Sequence, residues 1–200
     1  MSIDNNDFIE EINKNSIEED NEILNTKISW KSEIISWIKT IIFCVIMAYL
    51  INNLVIVNAE VPTSSMENTI MTEDRLIANR LAYTFSDPER FDIIVFKWPD
   101  DETQNYVKRI IGLPGDTIEI KGGLLYINGV LTEEPYLKET PFDQDYGPYN
   151  VPEGHYFTLG DNRNWSKDSR LWENTYVPRE NIVAKPLFRY LPNFKILIND

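Results

Sequence analysis

Three short segments of this chain concentrate side chains that can do chemistry. The first, VPTSSMENTI from Val61 to Ile70, places Thr63, Ser64 and Ser65 in a row after a proline. Hydroxyls so placed are candidate nucleophiles and hydrogen-bond donors, although Ser-rich turns are common. The second, NYVKRIIGLPGD from Asn105 to Asp116, sets Lys108 and Arg109 inside an apolar stretch. In a strand, Tyr106, Lys108 and Ile110 share one face. A lysine on such a face loses hydration, its charged form is disfavoured, and the neutral amine becomes a base. At a strand edge the same lysine would instead reach solvent. The third, LGDNRNWSKDSR from Leu159 to Arg170, packs polar groups directly behind an apolar run. It reads either as a loop that hydrogen-bonds its surroundings or as a surface loop closed by its own ion pair, Asp168 with Arg170.

Other chemistries are short of parts. The chain has one cysteine, Cys44, and one histidine. That rules out an intrachain disulfide, a Cys-cluster zinc site and any site needing two histidines. The histidine, His155, sits in GHYFTLG and reads as structural. Lys97, in IIVFKWP, is a second lysine in an apolar run, but the Trp98-Pro99 that follows suggests a strand end. Asp100, Asp101 and Glu102 read as a solvated turn, so neither a metal nor a cofactor is expected. The net charge of −13 argues against nucleic acid as a partner.

These segments need elements to hold them. Mean hydropathy is −0.33, the value of a soluble protein, yet residues 38–57 read IKTIIFCVIMAYLINNLVIV. Roughly 20 such residues make a helix of about 30 Å, the thickness of a bilayer's hydrocarbon core. A buried core helix would be apolar on one face only, and a cleavable leader would not follow so long and acidic a region. A transmembrane helix is therefore expected over 36–58. Residues 1–35, with nine acids against three lysines, are expected to form a mobile acidic tail. Lys27, Lys31 and Lys39 lie just before the apolar run while Glu60, Glu67, Glu73 and Asp74 follow it, which places the N-terminus in the cytoplasm and the C-terminal bulk outside. Residues 59–200 hold short β-branched runs: Arg75–Arg80, Asp92–Phe96, Tyr106–Ile111, Thr117–Ile120, Leu124–Ile127, Tyr156–Leu159 and Ile182–Tyr190. Turn signals separate them, and LLYINGVL is a hairpin with a type I′ Asn-Gly turn. The expected fold is all-β, mostly antiparallel, with a long excursion over 132–150 and one N-terminal transmembrane helix.

PTSSMENT, RFDIIVFKWP, YVKRIIGLPGD and GDNRNWSKDSR, in this order, resemble the bacterial type I signal peptidases, membrane-anchored serine peptidases with a Ser/Lys dyad. The likeness runs from the apolar helix to the C-terminus; the short chain, without cysteine beyond that helix, looks like Gram-positive members. The resemblance implies that Ser65, directly before Met66, is the nucleophile and Lys108 its general base. It implies an oxyanion hole from the Ser65 N–H and the Thr63 hydroxyl. Ser166 would hydrogen-bond the Lys108 amine, while the pairs Asp161–Arg109 and Asp168–Arg170 would support the site. Val61, Ile70, Tyr106 and Val107 would wall shallow pockets for an Ala-x-Ala sequence, bound as an extended strand. The implied partners are preproteins emerging from the secretion translocon and the lipid bilayer.

The chain departs from the common family pattern at Ser64, where glycine is frequent, at Asn68 for proline, and at Phe91 for glycine. Asn164 and Trp165 fill variable positions. None of these removes a group from the dyad. The aromatics Tyr83, Phe85, Phe91, Phe96 and Trp98 read as core or as a face resting on the membrane. Two other classes compete: a catalytically silent relative that binds exported proteins, and a self-cleaving repressor with similar Ser/Lys chemistry. Intact Ser65 and Lys108 argue against the first; the apolar helix and the lack of a DNA-binding domain argue against the second.

Overall fold

The computed structural model describes residues 5–197; residues 1–4 of the expected tail and 198–200 of the expected domain lie outside them. The chain divides into two compact units, Met1–Leu50 and Ile51–Asp200. The first is helical throughout its described length, as part of α1, Asn5–Leu54. Its stretch Trp30–Leu54 is long and apolar enough to cross a membrane, and the large apolar side chains from Ile41 to Leu50 are exposed along it. Two boundaries differ from expectation. Residues 5–35 are helix where a tail was expected; the stretch lacks proline and glycine, the two strongest helix breakers. The helix also stops at Leu54 rather than at 58, because Ile56–Asn58 pair as a strand with Ile77–Asn79.

Among the described residues the second unit has twelve strands: β1 Ile56–Glu60, β2 Arg75–Asn79, β3 Ile93–Trp98, β4 Asp101–Gly112, β5 Thr117–Lys121, β6 Leu124–Ile127, β7 Val130–Leu131, β8 Tyr146–Asn150, β9 His155–Leu159, β10 Val177–Pro178, β11 Ile182–Leu191 and β12 Lys195–Ile196. The larger sheet runs β1-β2-β11-β3-β4-β9-β10, with β12 on β11; the smaller runs β7-β6-β5-β8. Every pairing is antiparallel, so the all-β expectation holds. The β6–β7 hairpin has positive φ at both Asn128 and Gly129, as a type I′ turn requires.

Two features of this architecture set up the site. Ile94, Phe96, Ile110, Tyr156, Trp172 and Val177 form a core under the middle of the large sheet, so the far half of β4 is anchored in it through Ile110. At its near half, β4 pairs with β3 from Asn105 to Arg109 but with β9 only from Arg109 onward. Residues 105–108 therefore leave one edge of the sheet open. Of the aromatics between Tyr83 and Trp98, Phe96 is fully buried and Tyr83, Phe91 and Trp98 pack against core clusters. Phe85 alone among them stands out, 97% exposed.

Candidate active site

The hydroxyl cluster is held by a single 3-10 turn, Ser64–Met66, with extended Thr63 at its head. Met66 is completely buried with Val61, Ile70, Leu76 and Ile93, which pins the turn to the core. Thr63 Oγ1 lies 3.2 Å from Ser65 Oγ. Of the two adjacent serines, the buried one is Ser65, and its hydroxyl meets Lys108: Nζ to Oγ is 2.6 Å. Lys108 does not snorkel out; it is buried on β4, directly across from Ile94. Burial pushes its amine down from the usual 10.5 to about 8; nearby Asp168 and Asp161 pull it back up and Arg170 pushes it down. A serine hydroxyl in contact with a partly deprotonated, water-shielded amine is an arrangement that can serve as nucleophile and base.

The loop after β9 clamps this pair from above. Asn162 donates its backbone N–H to the Ser65 carbonyl at 3.1 Å and its side-chain amide to the Ser64 carbonyl at 3.0 Å. The approach is close enough that a methyl group on Gly160 would overlap the Ser65 carbonyl oxygen and the Ser166 side chain. Below, Arg109 donates to Asp161 through both Nε, at 2.9 Å, and Nη2, at 2.7 Å, with both side chains 1% exposed. Thr69 adds a 2.6 Å hydrogen bond to the same carboxylate. Arg170 grips Asp168 in the same two-pronged way. Both expected ion pairs are thus present, and the second does more than close the loop on itself, because Arg170 also donates to the Arg163 carbonyl at 2.7 Å.

Breaking the first pair should be costly, since a buried partner is left with an unmatched charge. Asp161→Asn is expected to lower unfolding free energy by about 3–5 kcal/mol. Urea denaturation of the purified protein measures it; a loss near zero would show that the pair is not held away from water.

A cleft of about 350 Å³ opens beside the dyad, lined by Glu60, Val61, Pro62, Thr63, Ser65, Gln104, Asn105, Tyr106, Val107, Lys108, Trp165 and Lys167. Three of the four expected wall residues, Val61, Tyr106 and Val107, are there. Ile70 is not; it is fully buried, packed in the core cluster with Met66 of the Ser64–Met66 turn. Ser166 also departs from expectation. Its hydroxyl is buried but makes no hydrogen bond to Lys108 or to any other described residue; the amine meets Ser65 instead. Lys97, the alternative base, is exposed. His155 lines a separate cleft with Glu102 and Glu173.

The model of the family described as "Signal peptidase, peptidase S26" matches residues 34–191. The chain belongs to the peptidase S26 family of signal peptidases. Signal peptidase I of Leptolyngbya laminosa is 40% identical over 168 residues, covering 80% of this chain and 81% of that one. Signal peptidase I S of Bacillus subtilis is 41% identical over 153 residues, covering 72% and 82%. A signal peptidase I crystal structure from Enterococcus faecalis is 39% identical and covers 50% of this chain and 97% of that one, with a TM-score of 0.44. Within a signal peptidase, the residues that sequence reading missed are those without a reactive group: Gly160, whose missing side chain admits the loop, and Asn162, whose amide holds the Ser65 carbonyl. Glu134 was missed too. It makes a buried ion pair with Arg163, 2.9 Å from Nη1, tying the 132–150 excursion to the loop. Only the glycine directly behind a strand carried a signal, as glycine often marks a close backbone approach.

Proposed function

We infer that this protein is a membrane-anchored serine endopeptidase that removes N-terminal signal peptides from exported preproteins. The carrying observation is the 2.6 Å contact of a buried Lys108 amine with the Ser65 hydroxyl, in a chain of this family. Neutral Lys108 takes the Ser65 proton as Oγ attacks the scissile carbonyl. The tetrahedral oxyanion is met by the Ser65 N–H and the Thr63 hydroxyl. Lys108 returns the proton to the leaving amine, and an acyl-enzyme remains on Ser65. Lys108 then draws a proton from water, which attacks the ester; the acyl–Oγ bond breaks, Lys108 hands the proton to Ser65 Oγ, and the new carboxyl product leaves. The open edge of β4 supports an extended peptide, which would pair along 105–107 as an added strand. The Val61, Tyr106 and Val107 walls suit small apolar residues such as those of Ala-x-Ala.

For the anchor, the reading is a single pass through the cell membrane over the apolar part of α1, with residues 1–35 cytoplasmic and the β domain outside. The lysines ahead of the apolar run support that orientation. The substrates would be preproteins as they leave the translocon.

The test is cleavage of a preprotein bearing Ala-x-Ala by the purified full-length protein in detergent, with the product's N-terminus sequenced. A cut directly after the second alanine is expected; no cleavage overturns the reading. In the same assay Thr63→Val should lower kcat by about 10²–10³-fold, the usual loss for one oxyanion donor, with KM little changed. An unchanged kcat would remove Thr63 from the oxyanion hole.

A further inference from the structure

The loop behind Ser65 carries two side chains that none of the supporting interactions use. Asp161, Asn162, Arg163, Ser166, Asp168 and Ser169 are all buried. Between them, Trp165 projects into solvent, 69% exposed, and Lys167 is exposed as well. Both line the cleft that holds Ser65 and Lys108. The exposure is not slackness of the loop, whose alternate residues are nailed down on either side. A wide indole left in water at the mouth of a peptide cleft is a surface that gains most by being covered.

Lys167 is held in a definite place. Its amine lies 4.5 Å from the centre of the Trp98 ring. Trp98 stacks on Tyr106, with centroids 5.1 Å apart and planes 5° from parallel, and Tyr106 is itself a wall of the cleft. The cation is therefore registered to the cleft wall through two stacked rings. No carboxylate among the described residues lies within ion-pair distance of it, whereas Glu60, the acid lining the same cleft, pairs with Arg75 at 3.5 Å. The surrounding domain, residues 60–200, has 23 acids against 15 bases. A placed, unpaired cation in such a domain selects for a negative charge on whatever enters.

We propose that Trp165 and Lys167 form a specificity-determining ridge that favours an acidic side chain in the substrate close to the scissile bond. Trp165 covers the peptide, and Lys167 pairs with the carboxylate. The proposal rests on the peptidase reading above and adds to it a preference that the small-residue pockets do not supply.

The experiment is a set of fluorogenic peptides sharing one Ala-x-Ala site, with Asp, Ala or Lys placed in turn at each flanking position. They are given to wild type, Lys167→Glu and Trp165→Ala, each checked for native circular dichroism. Wild type should prefer Asp over Lys at one position by about three- to five-fold in kcat/KM, the scale of a partly screened ion pair. That preference should shrink as salt is raised. Lys167→Glu should invert it, and Trp165→Ala should raise KM for every peptide. Discrimination that is absent in wild type, or unchanged in Lys167→Glu, overturns the ridge while leaving the peptidase reading standing. A wild type that cuts none of the peptides overturns the peptidase reading and the ridge with it.

Discussion

Ser65→Ala is expected to reduce preprotein cleavage by about 10⁴- to 10⁶-fold, the usual loss when a covalent nucleophile is removed. The size follows from how little else the cleft offers. Without Oγ there is no acyl-enzyme, and Lys108 faces a methyl group. The oxyanion donors and the peptide-binding edge remain, so residual catalysis over bulk water is expected to persist at a low level. Substrate binding should survive, and the variant should trap uncut preprotein. Ser64→Ala is the natural control, because Ser64 lies one residue away and makes no contact with Lys108. If Ser64→Ala is the inactive variant and Ser65→Ala cleaves normally, the nucleophile has been misassigned. If both cleave normally, Ser/Lys chemistry itself is wrong. A Ser65→Ala protein that keeps its full biological role, beside a wild type that cuts nothing, would instead describe a silent relative.

The second large effect belongs to Lys108. Lys108→Met should lower kcat by about 10²–10⁴-fold, the range of general-base contributions. The wild-type enzyme should carry the signature of that base in its pH profile. Only the neutral amine accepts the Ser65 proton, and burial moves the midpoint from 10.5 to about 8. Activity should therefore rise about tenfold per pH unit below 8, then level off above it. Whatever activity remains in Lys108→Met should lack this limb. A wild-type profile flat between pH 6 and pH 9, or a limb that survives in Lys108→Met, would show that another group is the base.

The sequence carried the strand pattern well because most strands have β-branched residues bounded by glycine, proline or asparagine turns. β5, β6 and β9 begin within one residue of expectation. β1 was invisible for a physical reason: Ile56 and Val57 extend an apolar helix without a break, and periodicity cannot separate a short buried strand from a helix end. What decides is the pairing with β2, a contact across intervening chain. β8 was hidden in the 132–150 excursion, whose prolines and glycine read as loop. At the site, the reactive groups were legible from their types. Orientation was not. Ile70 has the right chemistry for a pocket wall but faces the core, and Ser166 reaches the neighbourhood of Lys108 without bonding it. Trp165 read only as filling a variable position and Lys167 was not singled out, since nothing in their types tells which way a loop turns them.

The burial that lowers the Lys108 pKa also bears on how firmly the domain folds. In the unfolded chain this amine binds its proton up to about pH 10.4, while in the fold it gives the proton up near 8. Below pH 8 the folded protein must keep an ammonium out of water, and the difference amounts to about 3 kcal/mol of lost stability. Between 8 and 10.4 the unfolded state holds more protons than the native one, so this penalty is relieved as pH rises and is gone above that window. Lys108→Met should consequently be harder to unfold than wild type at neutral pH, while being a far poorer enzyme. On this reading the domain gives up ruggedness at neutral pH for reactivity, and the two respond to alkali in turn: activity climbs up to about pH 8, and the fold gains its stability only above it.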